Sequence, residues 1–264
     1  MQNLKIYNQF YKNGYIIKNI EDINSIKKIK DEISKIILNF LNIKKKPNFF
    51  LENLHQYVEY NKINHLRMRV YKIMNQKSWF QDAYFKLAKK TIEDLVGNEL
   101  AGQNSINFSF QFPHDKNSQL SLHSDSLSGE SAFQIVLWVP LMNVYKSNSM
   151  YVLSKEDSIK NLNNIKNFSR EGMFKIYKNL SNKVKFLNIK KNQFLIFSPN
   201  LLHGNVINKT EITRISMNAR FKSLFSPYNK DKKFFGKRLG YFYKPVNMRP
   251  VTKFSLDFKI PNEF

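Results

Sequence analysis

A chain of 264 residues with 42% hydrophobic content can bury one substantial core. It has no cysteine, which excludes disulfides, thiolate metal sites and a cysteine nucleophile, and which fits a reducing cytoplasm. The net charge of +23 rests on 36 Lys against only 7 Arg, a bias that fits an AT-rich coding sequence better than a phosphate-reading surface, where the Arg fork is preferred.

The opening MQNLKIYNQFYKNGY lacks the apolar core of a signal peptide. Residues 8–18 read as a turn at Asn13-Gly14 followed by a short strand. Residues 21–42 place Ile23, Ile26, Ile29, Ile33, Ile36, Ile37 and Phe40 at helical spacing, which predicts an amphipathic helix. The same pattern predicts helical stretches at about 52–75 and 78–96. His55 and His65 fall in the first of these and read as helix-surface or packing residues, since no carboxylate stands beside them at ligand spacing.

From residue 99 the period changes from helical to alternating. INFSFQF, SAFQIVLWVPL, MYVLS, VKFLNI, QFLIFS and ISMNARFKSL read as strands separated by Pro, Gly, Asn, Asp or Ser. FQIVLWVPLM is the longest apolar run, and Gln134 and Pro140 suit it to a buried strand rather than a membrane span. Strands following a helical block predict an α+β fold, a double-sheet jelly roll buttressed by helices. The expected layout is one domain over 1–264: a helical buttress at 1–98, the jelly roll at 99–223 and a basic aromatic extension at 224–264. That extension could cover the barrel, act as a lid or contact a partner.

The chemistry-bearing residues lie in the strand-rich part. His123 and Asp125, in LHSDS, are i and i+2, so on extended backbone both point to one side while Ser124 points away. His203, in NLLHGN, follows the strand candidate QFLIFSP and must approach from a distant strand. Two His and one carboxylate form the facial triad of non-haem iron sites, with three positions left open. A closed structural zinc site would need a fourth ligand, and none has suitable spacing. Arg214 and Ser216, in TRIS, share a strand face and can grip one carboxylate. The strand of Arg214 is expected beside the one ending near His203. His114-Asp115, in PHDKNS, reads as a turn.

On the substrate side, Ser109 and Gln111 alternate on the strand entering the site. Gln134 interrupts an apolar strand, and a bond to a neighbouring strand is the favoured reading for it. Glu130, in the turn after His-x-Asp, and Arg220, of the same parity as Arg214, are further candidates. Arg220 could hold an acidic substrate group or pair with a core carboxylate.

The stretch from about Asn107 to Phe221 resembles the Fe(II)/2-oxoglutarate oxygenases of the phytanoyl-CoA hydroxylase-like group, and more narrowly a branch found in bacterial carbohydrate-biosynthesis clusters. LHSDSLSGES, FQIVLWVPL, NSMYVL, FSPNLLHGNVIN and TRISMNARF carry the resemblance, and FYKNGYIIK resembles the group's N-terminal strand. The resemblance implies a double-stranded β-helix, iron on His123, Asp125 and His203 as the catalytic centre, and Arg214 on the far carboxylate of 2-oxoglutarate, with dioxygen as the other co-substrate. It places Trp138 and Asn205 near the co-substrate pocket, with packing and turn formation as their other readings. The presence of Asp125 favours hydroxylation or another hydrogen-abstraction outcome over halogenation. The implied substrate is a small molecule, a sugar or nucleotide sugar. Two competing readings are a non-catalytic carbohydrate-binding jelly roll and a basic nucleic-acid-binding protein or oxygenase.

Overall fold

The computed structural model describes residues 2–163, 170–255 and 257–258. Helix α1 (Gln2–Asn13) leads through Gly14, at φ +74°, into strand β1 (Tyr15–Asn19). A side chain at Gly14 would meet Leu201, so the turn needs glycine for both its φ and the close approach. Helix α2 (Ile23–Leu41) follows. Asp22 caps it by accepting from the backbone N–H groups of Asn24 and Ser25, and Asn42 ends it in the left-handed region. Ile29, Ile33 and Ile37 are fully buried along its inner face, each contributing roughly 1.5–3 kcal/mol.

The expected helix at 52–75 begins as two 3-10 turns and becomes regular only at α3 (Ile63–Asn75). The stretch at 78–96 divides into α4 (Phe80–Lys86) and α5 (Lys89–Val96). His55 sits against the Thr213 hydroxyl (2.9 Å) and Phe112, and His65 packs on Phe40, consistent with packing roles.

The strands that follow are β2 (Leu100–Gln103), β3 (Asn107–Gln111), β4 (Gln134–Pro140) and β5 (Tyr151–Val152). Helices α6 (Lys155–Asn163) and α7 (Arg170–Leu180) intervene before β6 (Lys185–Phe186), β7 (Gln193–Phe197), β8 (His203–Gly204) and β9 (Arg214–Ser223). Strand β10 (Tyr243–Asn247) and helix α8 (Pro250–Ser255) close the described chain.

Seven antiparallel strands form the larger sheet in the order β1-β7-β4-β9-β2-β10, with β3 also on β9. The ten-residue β9 is its spine. One edge pairs with β4; the other pairs with β3 along its first half and β2 along its last residues. A small sheet, β6-β5-β8, accompanies it. Odd-numbered residues of β9, such as Ile215 and Phe221, belong to the apolar core, where Phe221 meets Phe85 of α4. Even-numbered Arg214, Asn218 and Arg220 line a cavity on the other face.

Two expectations change. The sheet extends beyond 99–223 at both ends, because β1 and β10 supply its edges. Strand β9 does not lie beside β7: β4 separates them, pairing with both. Among the described residues, no helix is long and apolar enough to cross a membrane.

Candidate metal centre and its cavity

His123 and His203 face one another across an isolated antiparallel bridge, each backbone N–H donating to the other's carbonyl at 2.9 Å. That bridge brings the two imidazoles together, with ring centroids 4.2 Å apart. Ser124 is extended (φ −128°, ψ 134°), which returns Asp125 to the side of His123. The Ser124 hydroxyl points away and donates to the Pro199 carbonyl at 2.7 Å. Asp125 Oδ1 lies 3.5 Å from His123 Nε2 and 3.7 Å from His203 Nε2.

The protonation pattern suits a cation. Each Nδ1 stands 2.8 Å from a backbone carbonyl, of Ser121 for His123 and of Leu201 for His203. A carbonyl can only accept, so each Nδ1 carries a proton, which leaves Nε2 as the atom that can meet a cation. Burial, reinforced by His123 beside it, pushes the His203 imidazole down to about 4, so it is neutral at neutral pH. Burial alone would raise the Asp125 carboxyl. The imidazoles of His123 and His203 against Oδ1 and the guanidinium of Arg220 against Oδ2 outweigh it and hold the group well below the usual carboxylate range. Two imidazole nitrogens and one carboxylate oxygen, all within 4.8 Å of one another, are a donor set that fits Fe(II). The described residues bring no further His or acidic side chain into that group.

Asp125 is braced from behind. Its Oδ2 accepts from Arg220 at 2.8 Å, and Arg220 Nε stands 2.5 Å from Glu130. Lys237 lies 3.1 Å from the other Glu130 oxygen, and Gln134 donates to Glu130 at 3.1 Å. Tyr243 of β10 closes the network by donating to Gln134. Burial opposes the Arg220 charge, but Asp125 and Glu130 raise its pKa on balance. Glu130 and Gln134 are thus tied to these partners and do not line the cavity, while Arg220 lines it with its charge committed to Asp125 and Glu130.

The cavity in front of His123, Asp125 and His203 has a volume of about 380 Å³. Ser109, Trp138, Asn205 and Arg214 line it with His123, Asp125 and His203. Arg214 is 3% exposed, and no carboxylate among the described residues stands against it. It donates to the Ser109 hydroxyl at 3.1 Å and to the Asn148 carbonyl at 3.5 Å, while its Nε has no partner. Burial lowers it to about 10, which leaves it charged at neutral pH. Ser216, two residues along, is buried with an unpartnered hydroxyl. Asn205 spends its amide on the loop, accepting from Leu120 N–H and donating to the Ser118 carbonyl. Gln111 donates to the Val206 carbonyl at 2.7 Å and lies outside the lining. Asp115 accepts from Asn117 N–H within its turn, and His114 has φ +60°, as a turn requires.

The lining also takes Asn64 and Arg67 from α3 and Asn117, Ser118 and Gln119 from the loop before the first histidine. Asn218 could have been found from the parity of Arg214 and Ser216 on β9. Arg67 carried no such signal, because only the tertiary packing of α3 against β3 brings it here.

No family model matches the chain, and no curated protein matches it. Solved structures do. The likeness is one of fold, at 12–16% identity. HygX from Streptomyces hygroscopicus, with nickel and 2-oxoglutarate bound, aligns at TM-score 0.52 and 12% identity over 92% of this chain and 96% of its own. EctD from S. alaskensis, with 2-oxoglutarate and 5-hydroxyectoine, aligns at TM-score 0.54 and 16% identity over 87% and 78%. The non-haem monooxygenase ThoJ, as a nickel complex, aligns at TM-score 0.54 and 13% identity over 84% and 79%.

Proposed function

We propose that this protein is an Fe(II)/2-oxoglutarate-dependent oxygenase that acts at a C–H bond of a sugar or sugar conjugate. The observation that carries the reading is Arg214. A buried, charged guanidinium without an acidic partner is costly. It lines the same cavity as two imidazole nitrogens and a carboxylate oxygen suited to one cation. A diacid with a metal-chelating end fits both halves of that arrangement.

In this reading His123, Asp125 and His203 hold the ion, and Arg214 receives the far carboxylate of 2-oxoglutarate by paired charge-assisted bonds, with Ser216 adding one more. A ferrous ion with 2-oxoglutarate and dioxygen supplies an oxidant able to take hydrogen from an unactivated C–H bond. The chain's own work is to fix the ligands, orient both small molecules and limit water around them. Val136, Trp138 and Phe197 give the cavity its apolar wall for that purpose. The sugar assignment rests on the sequence resemblance, and the outcome could be hydroxylation, epimerisation or desaturation. The cysteine-free composition fits action in the cytoplasm.

The test is anaerobic addition of Fe(II) and 2-oxoglutarate. A weak visible charge-transfer band should appear in the wild type and vanish in His203→Ala. A protein that binds neither ligand would return the site to a non-catalytic role.

A further inference from the structure

We infer that the substrate carries an anionic group, a phosphate or a carboxylate, and that Arg67 at the cavity wall receives it. The inference rests on the oxygenase reading for its account of Arg214. Apart from the two histidines, four ionisable side chains line the cavity: Asp125, Arg67, Arg214 and Arg220. Asp125 and Arg220 compensate each other at 2.8 Å, and Glu130 takes the rest of Arg220. Arg214 serves the co-substrate. Arg67 is then the cation of the wall without an assigned anion.

The environment of Arg67 supports a ligand rather than a structural ion pair. Among the described residues its guanidinium meets neutral acceptors only: Asn64 Oδ1 at 2.7 and 3.1 Å, and the Phe108 carbonyl at 3.4 Å. No acidic side chain among the described residues forms a salt bridge with it. The Asn64 bonds use Nε and Nη2 and hold the fork in place, while N–H groups on Nη1 and Nη2 stay available. A pre-oriented planar fork is suited to a phosphate or carboxylate. Asn117, Gln119 and Asn218, also in the lining, are amides able to meet hydroxyl groups of the same substrate. The net charge of +23 draws such ligands toward the protein before any specific contact forms.

The experiment uses the full chain loaded with Ni(II) and 2-oxoglutarate, so that nothing turns over during calorimetric titration. The probes are glucose, glucose 1-phosphate, glucuronate and inorganic phosphate. Wild-type protein should bind glucose 1-phosphate or glucuronate at least about 10-fold more tightly than glucose, a difference within reach of one charged hydrogen-bonded contact. Whichever of the two leads names the anion, and inorganic phosphate should compete if it is the phosphate. Arg67→Gln should erase the preference and Arg67→Lys should keep part of it, both with unchanged 2-oxoglutarate affinity and melting temperature. Equal binding of glucose and both anionic sugars by the wild type would overturn the inference. So would an undiminished preference in Arg67→Gln. If the protein takes up neither Ni(II) nor 2-oxoglutarate yet binds the anions through Arg67, the oxygenase reading fails and the anion site stands.

Discussion

At the residue scale, Arg220 shows how a side chain without open ligand capacity can shape a metal centre. It holds Asp125 Oδ2 at 2.8 Å, while Oδ1 faces both histidines. The carboxylate therefore offers one oxygen to an ion, in an orientation set from behind. Replacing Arg220 with Met keeps much of the bulk and removes the brace. Metal affinity should fall by about 10- to 100-fold, the usual cost of losing a group that orients a ligand. Titration with Ni(II) reads this directly, and an unchanged affinity would show that Asp125 holds its orientation unaided. The three residues of the candidate metal centre were legible in the sequence because strand parity and residue type suffice for His123 and Asp125, and His203 stood beside a glycine at a strand exit. The roles of Glu130 and Gln134 were not, since the Arg220 that claims Glu130 lies far along the chain and Tyr243, which claims Gln134, farther still.

At the scale of elements, alternation along β3 and β9 was readable, as was the apolar run of β4, whereas the order of strands was not. Period-2 pattern says which face a residue takes and nothing about its neighbour strand, so β4 between β7 and β9 emerges only from the fold. Strand β10 was hidden for a related reason: YKPVN contains a proline, tolerable because it sits on the edge of the sheet. The two-residue β8 carries His203 and depends on the residue after it. A Cβ on Gly204 would stand 2.5 Å from the Tyr151 hydroxyl and 2.8 Å from the Leu120 carbonyl. Gly204→Ala should therefore push β8 away from its partners, costing about 1–3 kcal/mol and weakening metal binding with it. Thermal melting checks the first effect. Adding Tyr151→Phe, which removes the hydroxyl, should recover part of the loss; no recovery would assign the strain to the backbone of Leu120.

At the scale of the whole molecule, acid should unfold the metal-free protein earlier than its surface charge alone implies. His203 sits at about 4 in the folded state against an ordinary 6.5. Below 6.5 the unfolded chain takes up a proton that the folded imidazole refuses, so this contribution to stability is complete above 6.5 and is lost as the pH falls toward 4. Asp125, also lowered, acts in the same direction at still lower pH, as the carboxylate of an unfolded chain becomes protonated. The melting temperature of the metal-free protein should fall between pH 7 and pH 4.5 (about the span of the imidazole), and the slope should be shallower in His203→Gln. A slope identical in the variant would place the acid sensitivity elsewhere.

The backbone bridge between His123 and His203 has a mechanical side. It joins the loop before β4 to β8 by one pair of hydrogen bonds, to which Asn205 adds bonds with Leu120 and Ser118. An ion on the two imidazoles would act as a staple at the same crossing, closing the long intervening stretch of chain through coordinate links added to those hydrogen bonds. Occupancy is then stability in its own right: free ion at about 100 times its dissociation constant adds about 2.7 kcal/mol to the folded state. On the proposed reading, a cell short of iron would hold this protein in a looser form, more open to proteases at that crossing.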